Sequence, residues 1–143
     1  GATRTALDAL GRRVNAAAGR LPIGAAPEIR DICDRLAELL THAEELSRTG
    51  GEVDAYAMAT VAATVTDYLP TSIDRYLALP DSFVETHRND DGQTPDEELL
   101  EHFDLLDQGI EDLATAVYSG DAQRLAIQGR FLDTKFSKSD LTL

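Results

Sequence analysis

The sequence predicts an all-α fold: an antiparallel bundle of about five helices, forming a single domain over residues 1–143. Three observations carry this expectation. Apolar residues recur every three or four positions along most of the chain, no segment sustains the period-two alternation of a half-buried strand, and proline and glycine fall at intervals suited to helix ends. Repeats of solenoid period are absent, which disfavours stacked helical repeats. At 143 residues the chain has room for one ordinary domain.

The first helix is read from Leu7, Leu10, Val14 and Leu21, with Thr5 and Asp8 as a modest capping pair and Gly11 and Gly19 weakening it. Leu21 to Ala26 holds Pro22 and Gly24, and Pro27 follows in the first turn of the next element. The second helix has the clearest amphipathic pattern. Ile29, Ile32, Cys33, Leu36, Leu39, Leu40, Ala43 and Leu46 form one stripe, while Arg30, Asp34, Arg35, Glu38, Glu44 and Glu45 fall elsewhere on the wheel. Gly50-Gly51 ends it, because paired glycines suit a left-handed cap and a tight reversal.

The third helix is expected to begin near Glu52 and to turn Val53, Ala57, Val61, Val65, Tyr68 and Leu69 inward. Pro70 lacks an amide donor and clashes one turn back, at about 3 kcal/mol inside a helix, yet Ile73, Tyr76 and Leu77 continue the stripe. The expectation is a helix kinked or broken at Pro70 and ending by Pro80. Polar residues from Pro80 to Thr94 predict the longest loop. The fourth helix has the best start signal: Thr94 as N-cap, Pro95 at the first helical position and Glu97 closing a capping box. Its inner side is Leu99, Leu100, Phe103, Leu106, Ile110, Leu113 and Val117. After Ser119-Gly120-Asp121, a fifth helix from Ala122 to about Phe136 packs Leu125, Leu132 and Phe136. Short links favour antiparallel neighbours.

Composition narrows the function. Twenty-six acidic residues against 13 basic ones give a formal charge of −13, a field that repels phosphate backbones and anionic headgroups. Nucleic acid is therefore not an expected partner. Membrane insertion by this segment is not expected either, since no apolar run approaches a bilayer's thickness. Cys33 is the only cysteine, so an internal disulfide framework is excluded and a reducing, cytoplasmic location is expected. The chain begins Gly1-Ala2 without a methionine, read as a cleavage scar or segment boundary. A membrane tether supplied from a region outside the chain is the alternative expectation.

Several signals that carry chemistry elsewhere have plainer readings here. His87, Asn89, Asp91, Gly92 and Glu98 overlay the spacing of an EF-hand loop. A histidine nevertheless stands where calcium wants an aspartate oxygen, and Thr94-Pro95 replaces the apolar middle, so a hydrated loop running into a capping box is preferred. The carboxylates Glu97, Glu98, Glu101, Asp104, Asp107, Glu111 and Asp112 read as a solvated face. Di-iron bundles need Glu three residues before His, and here Leu99 precedes His102 at that distance. Cys33 paired with His42, His87 or His102 would make a thiolate nucleophile, but its place on the apolar stripe favours a core cysteine. Phosphate-cradling loops, nucleophile elbows and dinucleotide fingerprints are missing. Arg124, Arg130, Lys135 and Lys138 gather on and after the last helix, where positive charge suits a helix C-terminus. No catalytic residue, metal ligand or cofactor is assigned.

Tyr68-Leu69-Pro70-Thr71, then Tyr76-Leu77, the capped helix from Thr94, Leu113 to Val117, and a closing helix with Asp121 and Leu132 resemble the helical domain of the XpaC family, the 5-bromo-4-chloroindolyl phosphate hydrolysis protein, over roughly residues 60–136. The resemblance implies an α-helical module that is membrane-associated or regulatory and cytoplasmic. Through the family's name it also implies a link to phosphate-ester metabolism, with no catalytic residues to carry over.

The function expected from the sequence is thus a non-catalytic helical interaction or regulatory module, with a protein partner or a second copy as its target. Its expected partner surface is Tyr68, Pro70 and Tyr76, where aromatic tips and the carbonyl freed by the proline would meet a partner; ordinary core packing is the competing reading. An enzyme or accessory factor of phosphate-ester metabolism is the first alternative, although a chain poor in cations is badly suited to neutralising a phosphoryl group. A bundle that binds a small ligand between its helices is the second.

Overall fold

A computed structural model describes residues 1–137. It is all-α: α1 spans Ala2–Ala17, α2 Ala25–Arg48, α3 Ala55–Ala63, α4 Leu69–Leu77, α5 Asp81–Thr86, α6 Pro95–Ser119 and α7 Ala122–Phe136. No strand occurs among the described residues. Because α3 and α4 are joined by a helical segment, Thr64–Tyr68, residues 55–77 form one rod, and the bundle has five rods with the short α5 added.

Cross-helix pairs fix the directions. Arg4 at the start of α1 bonds Glu44 near the end of α2, and Asn15 bonds Arg30, so α1 and α2 are antiparallel. Ser72 meets His102 and Tyr76 meets Asp96, which sets the third rod antiparallel to α6. Gln128 reaches Gly109 O, which sets α6 antiparallel to α7. Each rod therefore reverses its predecessor, and α2 and α6 run alongside one another in the same direction, with Arg35 beside Asp107 and His42 against Tyr118.

One apolar cluster fills the interior. The α2 stripe supplies Ile29, Ile32, Leu36 and Leu39, and α6 supplies Leu99, Phe103, Leu106, Ile110 and Leu113, all fully or almost fully buried. Cys33, Leu40 and Leu46 lie at the stripe's margin and are half-buried. Two glycines allow the rods to approach closely. A Cβ on Gly109 would lie 2.5 Å from Leu132 Cδ2, and one on Gly129 would lie 2.9 Å from the Tyr56 ring.

Several boundaries differ from the sequence expectation. The first helix starts at Ala2, so the Thr5 hydroxyl lies inside it and donates back to Gly1 O instead of capping. The third rod starts at Ala55 because Asp54 Oδ1 accepts the Ala57 amide, leaving Val53 on the exposed side of the cap. Within the expected Pro80–Thr94 loop, Asp81–Thr86 forms α5. Pro80 O accepts the Phe83 and Val84 amides, and Val84 packs onto the core. The capping box at Thr94 and the break after Ser119 lie where the sequence places them, the latter made by a left-handed Gly120.

The third helix is interrupted at Pro70, as the sequence predicts: α3 ends at Ala63, Thr64–Tyr68 winds more widely, and α4 restarts at Leu69 with Pro70 in its first turn, so the rod continues through the break. The hydrogen-bond register widens just before Pro70, with the Leu69 amide donating to Thr64 O five residues back. A proline ring crowds the carbonyl four residues earlier and offers no N–H to it. One wide turn relieves both problems, and backbone angles at Ala63, Thr64 and Leu69 all stay helical.

Candidate functional site

The three residues of the expected partner surface fall on the third rod, but they do not share an environment. Tyr68 is 2% and Tyr76 9% exposed, while Pro70 is half-buried on the opposite side of the rod. With four-residue spacing, Tyr68, Ser72 and Tyr76 form a single stripe that faces α6 and α7. Each carries a polar atom that needs a partner inside the bundle.

All three find one. Tyr68 Oη donates to Asp133 Oδ1 of α7 at 3.2 Å. Tyr76 Oη donates to Asp96 Oδ1 in the first turn of α6. Ser72, 0% exposed, donates to Tyr68 O at 2.9 Å and lies 2.8 Å from His102 Nε2. Burial, reinforced by the neighbouring carboxylates, raises both tyrosine hydroxyls, so they remain protonated donors. The tips of both rings are therefore committed to the fold and leave a partner little area.

The Ser72–His102 pair was not legible in the sequence as a unit, since 30 residues separate its members. The available signal was His102 next to Phe103, at the margin of the α6 apolar stripe. The Ser72 hydroxyl donates to Tyr68 O, and the His102 tautomer that complements this arrangement carries its proton on Nε2, facing Ser72 Oγ. Burial, with a smaller contribution from the Lys135 charge, lowers the His102 pKa to about 4, so the ring is neutral at pH 7. The Phe136 ring stands edge-on to it at 4.9 Å.

The other candidates separate in space. Cys33 is half-buried between α1 and α2, and burial followed by the Asp34 charge pushes its thiol up to about 11, against thiolate formation. The three imidazoles have other neighbours: His42 lies against Tyr118, His87 stacks on Phe83 at 4.2 Å and His102 meets Ser72. In the EF-hand-like stretch, Asn89 Oδ1 accepts the Asp91 and Gln93 amides and Asn89 O accepts the Gly92 amide, so that oxygen closes a turn. No group of three or more metal-ligating side chains assembles among the described residues. Likewise, no helix there is long and apolar enough to cross a membrane.

A cleft of about 620 Å³ lies at the end of the bundle where α2 and α6 finish and α3 and α7 begin. On the outer face of α7, Ile127 is 53% and Phe131 47% exposed, one turn apart. Arg130 and Lys135 line the same shallow depression. Among the described residues Arg124, Arg130 and Lys135 form no ion pair, and Lys138, the fourth member of the basic group, lies outside those residues. Compared with family models, curated proteins and solved structures, the chain matches none.

Proposed function

We propose that the chain is a non-catalytic helical module that binds a protein partner through the outer face of α7. The observation that carries this reading is the pair Ile127 and Phe131, held in solvent by a helix whose opposite side, Leu125, Leu132 and Phe136, is buried. Large exposed apolar side chains grouped on one helical face mark interaction sites more often than isolated ones do. The flanking charge also selects the partner. Within Ala122–Phe136 there are three basic residues and one acidic residue, in a chain of net charge −13. The acidic member, Asp133, holds Tyr68.

An apolar pair rimmed by cations fits an amphipathic helix with acidic flanks, whose apolar side would cover Ile127 and Phe131. Self-association of this face would bring cations against cations, which disfavours a symmetric α7–α7 contact. The resemblance of residues 60–136 to the XpaC helical domain belongs to the same proposal, as it too implies a regulatory helical module.

The test compares affinity purification from the native host using the wild-type chain and Ile127→Glu/Phe131→Glu, with thermal melting confirming that both are folded. The expected result is a partner with an acidic helical segment, released by salt and lost with the double variant. Equal recovery of every partner by both proteins overturns the reading.

A further inference from the structure

We propose that the 620 Å³ cleft at the α2/α6 exit is a binding site for a small organic cation with an apolar body, independent of the α7 face. The volume lies within the range that encloses small ligands. Its floor is aliphatic: Leu39 and Leu46 of α2, Met58 of α3 and Leu125 of α7. Methionine suits such a floor because its side chain adapts to different shapes. Tyr118, half-exposed, stands at the rim with its ring 5.0 Å from that of His42 and nearly perpendicular to it.

Charge settles the class of ligand. The lining contains Glu52 and Asp54 and no lysine or arginine. Two helices end here: α2 carries Arg48 in its last turn, whereas α6 ends at Ser119 with no basic residue, so the α6 C-terminus adds partial negative charge. The opposing positive ends of α3 and α7 are already answered, because Asp54 Oδ1 accepts the Ala57 amide at 2.9 Å and Asp121 Oδ1 accepts the Arg124 amide at 3.0 Å. What remains is a negative rim, led by Glu52, around an apolar floor with an aromatic ring beside it. A protonated or quaternary amine on a hydrophobic group satisfies all three parts, placing its charge near Glu52 and the Tyr118 ring and its body on the floor. A carboxylate or phosphate would meet Glu52 and the α6 C-terminus with no lysine or arginine in the lining to answer its charge.

The experiment titrates the full chain with benzyltrimethylammonium, benzyl alcohol and phenylacetate, following backbone amide NMR shifts. The expected result is saturable binding of the cation at about millimolar Kd, given its few heavy atoms, with shifts confined to residues 39–58 and 117–125. Glu52→Gln, a change of one exposed side chain, should weaken it about two- to fivefold, and Tyr118→Leu should do the same. The alcohol should bind more weakly and phenylacetate not measurably. Equal binding of the alcohol or of phenylacetate, unchanged affinity in both variants, or shifts outside the cleft overturns the proposal, as does the absence of shifts at about 10 mM cation.

Discussion

Ser72 Oγ lies 2.8 Å from His102 Nε2, tying α4 to α6 inside the bundle across 30 residues of sequence. The contact sits midway in a polar stripe whose outer members, Tyr68 and Tyr76, bond Asp133 and Asp96. The stripe sets the register of the third rod against α6 and α7, because a one-residue slip would strand every one of these donors.

His102 should make the fold acid-sensitive. Its pKa is lowered from 6.5 to about 4, so between those values the unfolded chain binds a proton that the native chain does not. The resulting stability is fully present above pH 6.5 and is lost as pH falls toward 4. The size is on the order of 2–3 kcal/mol. Urea unfolding across this range should show a steeper decline for wild type than for His102→Gln. Parallel curves would remove His102 as the cause.

Glu28 should behave in the opposite sense. Its carboxyl is raised by burial, then by the charges of Asp104, Asp107 and Asp31. A raised carboxylate opposes folding once ionised, so Glu28→Gln should stabilise at pH 7 by a few tenths of a kcal/mol, small because the site is largely solvated. The difference should vanish below pH 4, where the wild-type side chain is protonated in both states. Denaturant midpoints at the two pH values check both halves.

Gly109→Ala should destabilise the bundle by about 1–3 kcal/mol, since the new Cβ would meet Leu132, which is fully buried and has no room to move aside. Gly11→Ala should instead stabilise by up to about 1 kcal/mol, because Gly11 lies inside α1 with open space at its Cβ and alanine is the better helix former. Thermal melting of the two variants should give shifts of opposite sign.

Pro70→Ala restores an amide but should leave the wide turn in place. Returning Thr64–Tyr68 to ordinary register would rotate Val61 and Ala57 by about 100° relative to Ile73 and Tyr76, turning buried residues to water. Stability should change by less than about 1 kcal/mol, and the Leu69 amide should remain bonded to Thr64 O. An NMR structure showing that bond moved to Val65 O would make the proline the sole cause of the turn.

Helix identity was legible because it depends on local spacing. The stripe from Ile29 to Leu39 and the capping box at Thr94 are contained within one or two turns, and both were readable from neighbouring residues alone. Misplaced boundaries share a cause as well. At Asp81–Thr86, polar composition suggested a loop, yet Pro80 O and a single apolar contact through Val84 suffice for a short helix. At Thr5, a residue suited to capping lies inside a helix that begins earlier. The partner surface expected around Tyr68 and Tyr76 depended on which way their rings point, and nothing within four residues encodes that.

Taken alone, then, the amino-acid sequence determined the fold class, the five rods and most of their ends, through periodicity and capping chemistry that act over a turn of helix. Tertiary structure alone decided that Ser72 meets His102, that Gly109 admits Leu132, that the two tyrosines are committed to Asp133 and Asp96, and that Ile127 and Phe131 are left in water. Each of these depends on the relative rotation and depth of packed rods, which distant side chains set together.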